Sequence, residues 1–145
     1  MSGKLYIMCG LPRSGKSSWI KKYQRAEKYV VISNDWIREN IFHNKYAFSI
    51  NPSVWMITDS CIRILLSQDK SVIFDGINHT KFVREQFIKI AREMDATVKI
   101  IYMDTPLEVC LERNDKLPEK TLKRMAEEFE EPTLDECDGI ITEIF

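Results

Sequence analysis

Eight residues, Gly10-Leu11-Pro12-Arg13-Ser14-Gly15-Lys16-Ser17, constrain this chain more than any other part of it. They follow an apolar run, Lys4–Cys9, and open a stretch with helical spacing, so a strand turns through two glycines into a helix. The glycines let the backbone turn tightly, so that successive N–H groups point inward. The helix start adds its positive dipole end, extended by Ser18. A turn of this kind surrounds a polyphosphate.

The rest of the chain repeats the alternation. Apolar runs at Lys4–Cys9, Tyr29–Ser33, Ser71–Asp75, Thr97–Met103 and Gly139–Phe145 read as strands. They are mostly continuous rather than alternating, as expected of parallel strands covered on both faces. Helical stripes lie between them. Val54, Ile57, Cys61, Ile62 and Leu65 form one, opened by Asn51 as N-cap and Pro52 as first helical residue. Val83, Phe87, Ile90, Ala91 and Met94 form another. Thr105-Pro106-Leu107-Glu108 reads as a capping box starting a short helix to Arg113. Leu122, Met125, Ala126 and Phe129 make a last stripe, ended before Pro132. Right-handed β-α-β crossovers then give an α/β fold: an open, parallel, five-stranded sheet with helices on both faces. Residues 1–145 are expected to form a single domain, long enough for a real core. The longest irregular piece, His43–Ile50 with Tyr46 and Phe48, is a candidate substrate loop or lid.

Composition excludes several classes. With 44% apolar and 30% charged residues the chain is neither disordered nor fibrous. No apolar run approaches the ~20 residues that cross a bilayer, and the start turns polar too soon for a secretory signal. No membrane association and a cytoplasmic location are expected. Cys9, Cys61, Cys110 and Cys137 are far apart, without a CxxC pair, and read as core thiols rather than a disulfide or zinc framework. A net charge of −1 gives no whole-protein case for nucleic acid. The local basic clusters at Lys21–Lys28 and Lys81–Arg92 read as solvated helix faces.

The octapeptide fits G-x-x-x-x-G-K-[ST], the P-loop of nucleoside-triphosphate sites. Lys16 adds charge at the β- and γ-phosphates, and Ser17 offers its hydroxyl to Mg²⁺. Asn44-Lys45-Tyr46-Ala47 lacks the aspartate of a GTPase base-reading motif, and the protein-kinase signatures are missing. Strand two runs into Ser33-Asn34-Asp35-Trp36-Ile37-Arg38. In such a sheet, ligands sit at the carboxyl ends of strands, which places Asp35 towards the γ-phosphate as proton acceptor for an attacking hydroxyl. Arg38, three residues on, shares its helical face and suits an anionic part of the acceptor. The plainer reading makes Ser33 or Asn34 a helix cap, with Asp35 favouring the helix start and Arg38 exposed. Asp75 ends strand three as a Walker-B carboxylate, as an acceptor-site residue orienting Arg38, or as a plain Asp-Gly turn; His79 reads as a helix cap. Arg113 and Lys116 are the candidates for a basic lid over the phosphates.

Taken together these residues resemble the 5′-hydroxyl polynucleotide kinases of bacteriophage type and the zeta-toxin-like P-loop kinases around them. The matching pieces are Gly10–Trp19, Ile32–Arg38, Phe74–Asn78, Arg84-Glu85, Arg113-Asn114 and the tail from Leu117-Pro118 to Pro132. The resemblance implies ATP and Mg²⁺ as cofactors, Asp35 as general base and Arg38 on the acceptor phosphate. It puts Asp75, Asn78 and Arg84 on the acceptor side and Arg113 on the nucleotide phosphates. It implies transfer of the γ-phosphate to the 5′-hydroxyl end of DNA or RNA. Tyr46, Phe48 and Trp55 read either as stacking surfaces for a terminal base or as core and loop packing, the latter favoured for Trp55. There are departures. A second lid arginine is replaced by Lys116-Leu117-Pro118, a point charge that makes no bidentate clamp. Gly76 stands where Thr or Asn is common, and the fused phosphatase domain of some relatives is missing. Similar P-loops serve kinases of sugars, antibiotics, nucleotide sugars and aminoacylated tRNA. A metabolite or nucleotide-sugar kinase and a non-catalytic ATP-binding regulator therefore stand as alternatives.

Overall fold

The computed structural model describes residues 3–26, 28–43 and 52–144. In chain order they form β1 (Lys4–Cys9), α1 (Lys16–Ala26), β2 (Tyr29–Ser33), α2 (Asn34–Asn40), α3 (Pro52–Ser67), β3 (Ser71–Asp75) and α4 (Lys81–Glu93). There follow β4 (Thr97–Met103), α5 (Leu107–Arg113), α6 (Glu119–Glu128), a 3₁₀ turn (Leu134–Glu136) and β5 (Ile140–Glu143). The strands make one parallel sheet in the order β2-β3-β1-β4-β5. The central strand, β1, is paired on both sides: Leu5 opposes Val72 of β3 and Val98 of β4. This is the expected kinase-type P-loop fold.

The continuous apolar strands have a simple cause: alternate side chains feed two cores. Leu5, Ile7, Val72, Phe74, Val98 and Ile100 meet α3 and α4 through Ile62, Leu66, Phe87, Ile90 and Ala91. Tyr6, Met8, Ile73, Ile101 and Met103 face the other way, onto Trp19 and Ile20 of α1. A third cluster joins α5 and α6 through Cys110, Leu122 and Met125, and Leu11 of the glycine turn is buried in it. Cys9, Cys110 and Cys137 are buried free thiols.

Local departures from the sequence reading have identifiable reasons. The buried stripe of α3 is Val54, Thr58, Ile62 and Leu66, with Ile57, Cys61 and Leu65 only half-buried. A hydroxyl takes the core position because Thr58 Oγ1 donates to Asn34 Oδ1 at 2.8 Å. The capping box expected at Thr105 does not form. Pro106 occupies the N-cap, and the Thr105 hydroxyl donates instead to the Ser14 carbonyl at 2.7 Å. Helix α4 is capped by Thr80, whose hydroxyl accepts from the Val83 N–H, while His79 pairs with Glu128 at 3.2 Å. A capping box appears at Thr133 and Glu136, where none was expected. The fifth strand begins at Ile140 rather than Gly139, whose carbonyl still accepts from the Ile100 N–H at 3.0 Å. Asn51, Tyr46, Phe48, the rest of the candidate loop from residue 44 and Phe145 lie outside the described residues. Among the described residues, no helix is long and apolar enough to cross a membrane.

Candidate active site

Parallel strands put their carboxyl ends on one edge of the sheet, so the turns after β1, β2, β3 and β4 converge there. The turn after β1 is held from both sides. Gly10 N–H donates to Ile77 O at 3.0 Å, and the Thr105 hydroxyl fixes the Ser14 carbonyl. A β-carbon on Gly10 would stand 2.7 Å from Ser14 Oγ and 2.9 Å from Met103 Cβ, so this position has room only for glycine. Gly15 has φ 105°, and its carbonyl accepts from the Trp19 N–H as α1 begins. Lys16 Nζ lies back along the loop, donating to Gly10 O at 2.7 Å and Leu11 O at 3.0 Å.

Over this turn opens a cavity of about 430 Å³, lined by Arg13, Gly15, Lys16, Ser17, Ser18 and Arg113. Of the remaining loop residues, Leu11 and Ser14 are buried and Pro12 is half-buried. Arg113 comes from the end of α5, and its guanidinium donates to Arg13 O at 3.2 Å. Lys116 is exposed in the loop after α5 and does not line the cavity. A roomier hollow of about 610 Å³, between Lys28, Tyr29 and Lys70, lies at the amino ends of β2 and β3, away from this chemistry.

Ser33 and Asp75 are register partners at the ends of β2 and β3. Ser33 caps α2 by accepting from the Trp36 N–H at 3.2 Å, which sets Asp35 in the first turn. The plain capping reading of Ser33 holds, with Asp35 at the carboxyl end of β2, but Arg38 is covered rather than exposed. Arg38 Nη1 donates to Asp35 Oδ1 at 3.0 Å, with Asp35 open to solvent and Arg38 largely covered. Arg38 Nε is buried without a hydrogen-bond partner among the described residues. Burial lowers the Lys16 ammonium pKa; the Asp75 charge opposes this most, and Asp35 opposes it further. Burial raises the Asp75 carboxyl; Lys16 opposes the rise and Asp35 adds to it. Lys16, Asp75 and Asp35 thus share one local field. Arg38 pairs with Asp35, and the opposite charge that acts on Asp75 is Lys16.

Two expected acceptor residues are elsewhere. Arg84 is fully buried; its Nε donates to Glu136 Oε1 at 2.9 Å and its Nη1 to Asn78 O at 3.0 Å. Asn78 is also buried, with φ 47°, and its amide donates to Met8 O at 2.6 Å. Both brace the end of β1, because a charge and an amide inside the core need fixed partners. The thiol of Cys9 lies beside them, donating to Asn78 O at 3.3 Å, and burial pushes its pKa up to about 11. The long-range contacts of Thr105 and Glu136 escaped the sequence reading, which took Thr105 for a local helix cap: each reaches a partner distant in the chain.

The family model described as an AAA domain, AAA_33, matches residues 5–132. The chain is 32% identical over 139 residues to an L-seryl-tRNA(Sec) kinase of Methanococcus maripaludis, a match covering 88% of this chain and 53% of that protein. The chain thus spans about half the length of this curated relative. Among solved structures, the APS kinase CysC of Mycobacterium tuberculosis in complex with AMPPNP and APS superposes with a TM-score of 0.71 at 20% identity, covering 97% of this chain and 88% of that one. The Pnkp1/Rnl/Hen1 RNA repair complex gives 0.79, also at 20% identity, over 88% of this chain and 44% of that one. At these identities the solved structures share the fold. The chain belongs to the AAA_33 family of P-loop kinases.

Proposed function

We propose that this chain transfers the γ-phosphoryl group of ATP to the hydroxyl of an acceptor that carries an anionic group of its own. The carrying observation is the Asp35–Arg38 pair, 3.0 Å apart, beside the field shared by Lys16 and Asp75. The loop N–H groups and Lys16 hold the β- and γ-phosphates, and Arg113 balances the charge that spreads over the transferred group. Asp35 accepts the acceptor's proton as its oxygen bonds to the γ-phosphorus. The bridging P–O bond breaks, leaving its electron pair on the β-phosphate of ADP. Mg²⁺ fits the donor set: the Ser17 hydroxyl and the Asp75 carboxylate are hard oxygens of the kind it takes, leaving positions for phosphate and water. When bound, the ion neutralises phosphate charge. Arg38 holds the acceptor anion through its guanidinium.

The sequence reading leaned towards a polynucleotide 5′ end. The likeness to an L-seryl-tRNA(Sec) kinase supports a broader class instead, hydroxyl groups on anionic carriers of any size. The testing experiment is transfer of labelled γ-phosphate to a panel: seryl-tRNA, adenosine 5′-phosphosulfate, 5′-hydroxyl oligonucleotides, gluconate and neutral polyols. Label is expected on anionic acceptors. Asp35→Asn should reduce transfer at least a hundredfold while leaving ATP affinity within about twofold. Label confined to neutral polyols would remove Arg38 from the acceptor site. ATP binding without transfer to any acceptor would make the chain a nucleotide-dependent binding module.

A further inference from the structure

Arg13 stands in the glycine turn with φ 68°, the left-handed region that disfavours any residue with a β-carbon. Gly15 shares the positive φ without that penalty. The Arg13 guanidinium pairs with Asp115, in the loop after α5. Both partners are well exposed, 41% and 64%, and exposed ion pairs contribute little to stability. The bridge therefore does not explain why an arginine occupies this strained position. The cavity does. Arg13 lines it together with Lys16 and Arg113, and Arg113 donates to the Arg13 carbonyl, so both arginines border one cavity. The second lid cation, sought at Lys116, is matched by no lining residue from that loop.

We infer that the Arg13 side chain is the second phosphate-gripping arginine of this site, and that Asp115 competes with the nucleotide for it. The inference rests on ATP occupying the cavity. A triphosphate offers the guanidinium several oxygens and more charge than one carboxylate, in geometry suited to paired N–H donors. The solvent-exposed partner is the one readily exchanged. When ATP enters, Arg13 turns from Asp115 to the phosphates, and the loop after α5 loses its tie to the glycine turn. Supply of this arginine from the turn itself makes a second arginine in the α5–α6 loop unnecessary.

The test is ATP affinity by calorimetry at fixed salt for the wild type, Arg13→Gly and Asp115→Asn, with melting temperatures measured without nucleotide. Arg13→Gly should weaken ATP binding about tenfold or more, the effect of losing a charge-assisted contact. It should melt no lower than the wild type, because glycine relieves the left-handed backbone. Asp115→Asn removes the competitor and should tighten ATP binding about two- to fivefold. A purely structural tie would instead make both variants weaker together. That result, or an Arg13→Gly variant with unchanged affinity, overturns the inference while the kinase reading stands. A wild type that binds no ATP would take both down.

Discussion

Asp75 shows how a single side chain couples the site to the stability of the fold. Burial raises its pKa, so its contribution to stability is greatest below the ordinary carboxylate value and is lost as pH rises through the raised one. Above that window the folded state holds a poorly solvated charge, offset in part by Lys16. Asp75→Asn should therefore melt higher than the wild type at pH 7 to 8, by about 1 kcal/mol in stability, and the gap should close below about pH 4. Melting temperature against pH is the measurement; a gap that does not change with pH would refute the assignment. Magnesium-dependent transfer should fall in the same variant, since a neutral amide replaces an anionic oxygen ligand.

Among the elements, the buried Arg84–Glu136 pair ties α4 to the 3₁₀ turn and, through Asn78, to the end of β1. Arg84→Ala leaves Glu136 buried and unpaired and should cost about 3–5 kcal/mol in denaturant unfolding. The double variant Arg84→Met with Glu136→Leu should recover most of that loss. Equal losses in the two variants would mean that packing, not charge, is what Arg84 supplies. These contacts also mark the limit of what was legible beforehand. Strands β1 to β4 and the glycine turn were readable because each is a short run with one periodicity or one spacing rule. Asp35 and Arg38 were readable as a pair because three residues on a helix make neighbours. Arg84 was misplaced on the acceptor side because its partner lies 52 positions away, and no local pattern announces such a contact. Thr58 was missed for a related reason: a hydroxyl inside a stripe reads as an interruption until its acceptor, Asn34, is known.

At the scale of the whole molecule, the turn after β1, the start of α1 and the end of α5 line one cavity, so a nucleotide bound there should stabilise the fold. ATP at about 100 times its Kd adds about 2.7 kcal/mol, which for a domain of this size raises Tm by roughly 5–10 °C. Lys16→Ala should abolish that shift; a persistent shift in that variant would place ATP elsewhere.

The position of β1 at the centre of the sheet has a consequence for biosynthesis. A ribosome releases Leu5 long before Val72 and Val98, the residues that flank it in the finished sheet. Until β3 has emerged, β1 has no permanent neighbour on either edge, and until the segment through Met103 has emerged one of its edges stays open. Its closure depends on long-range pairing, which is slow and leaves strand edges open to other chains. The nascent protein is thus most prone to clump during this interval, and holdase chaperones have most to do while the last third of the chain is still being made.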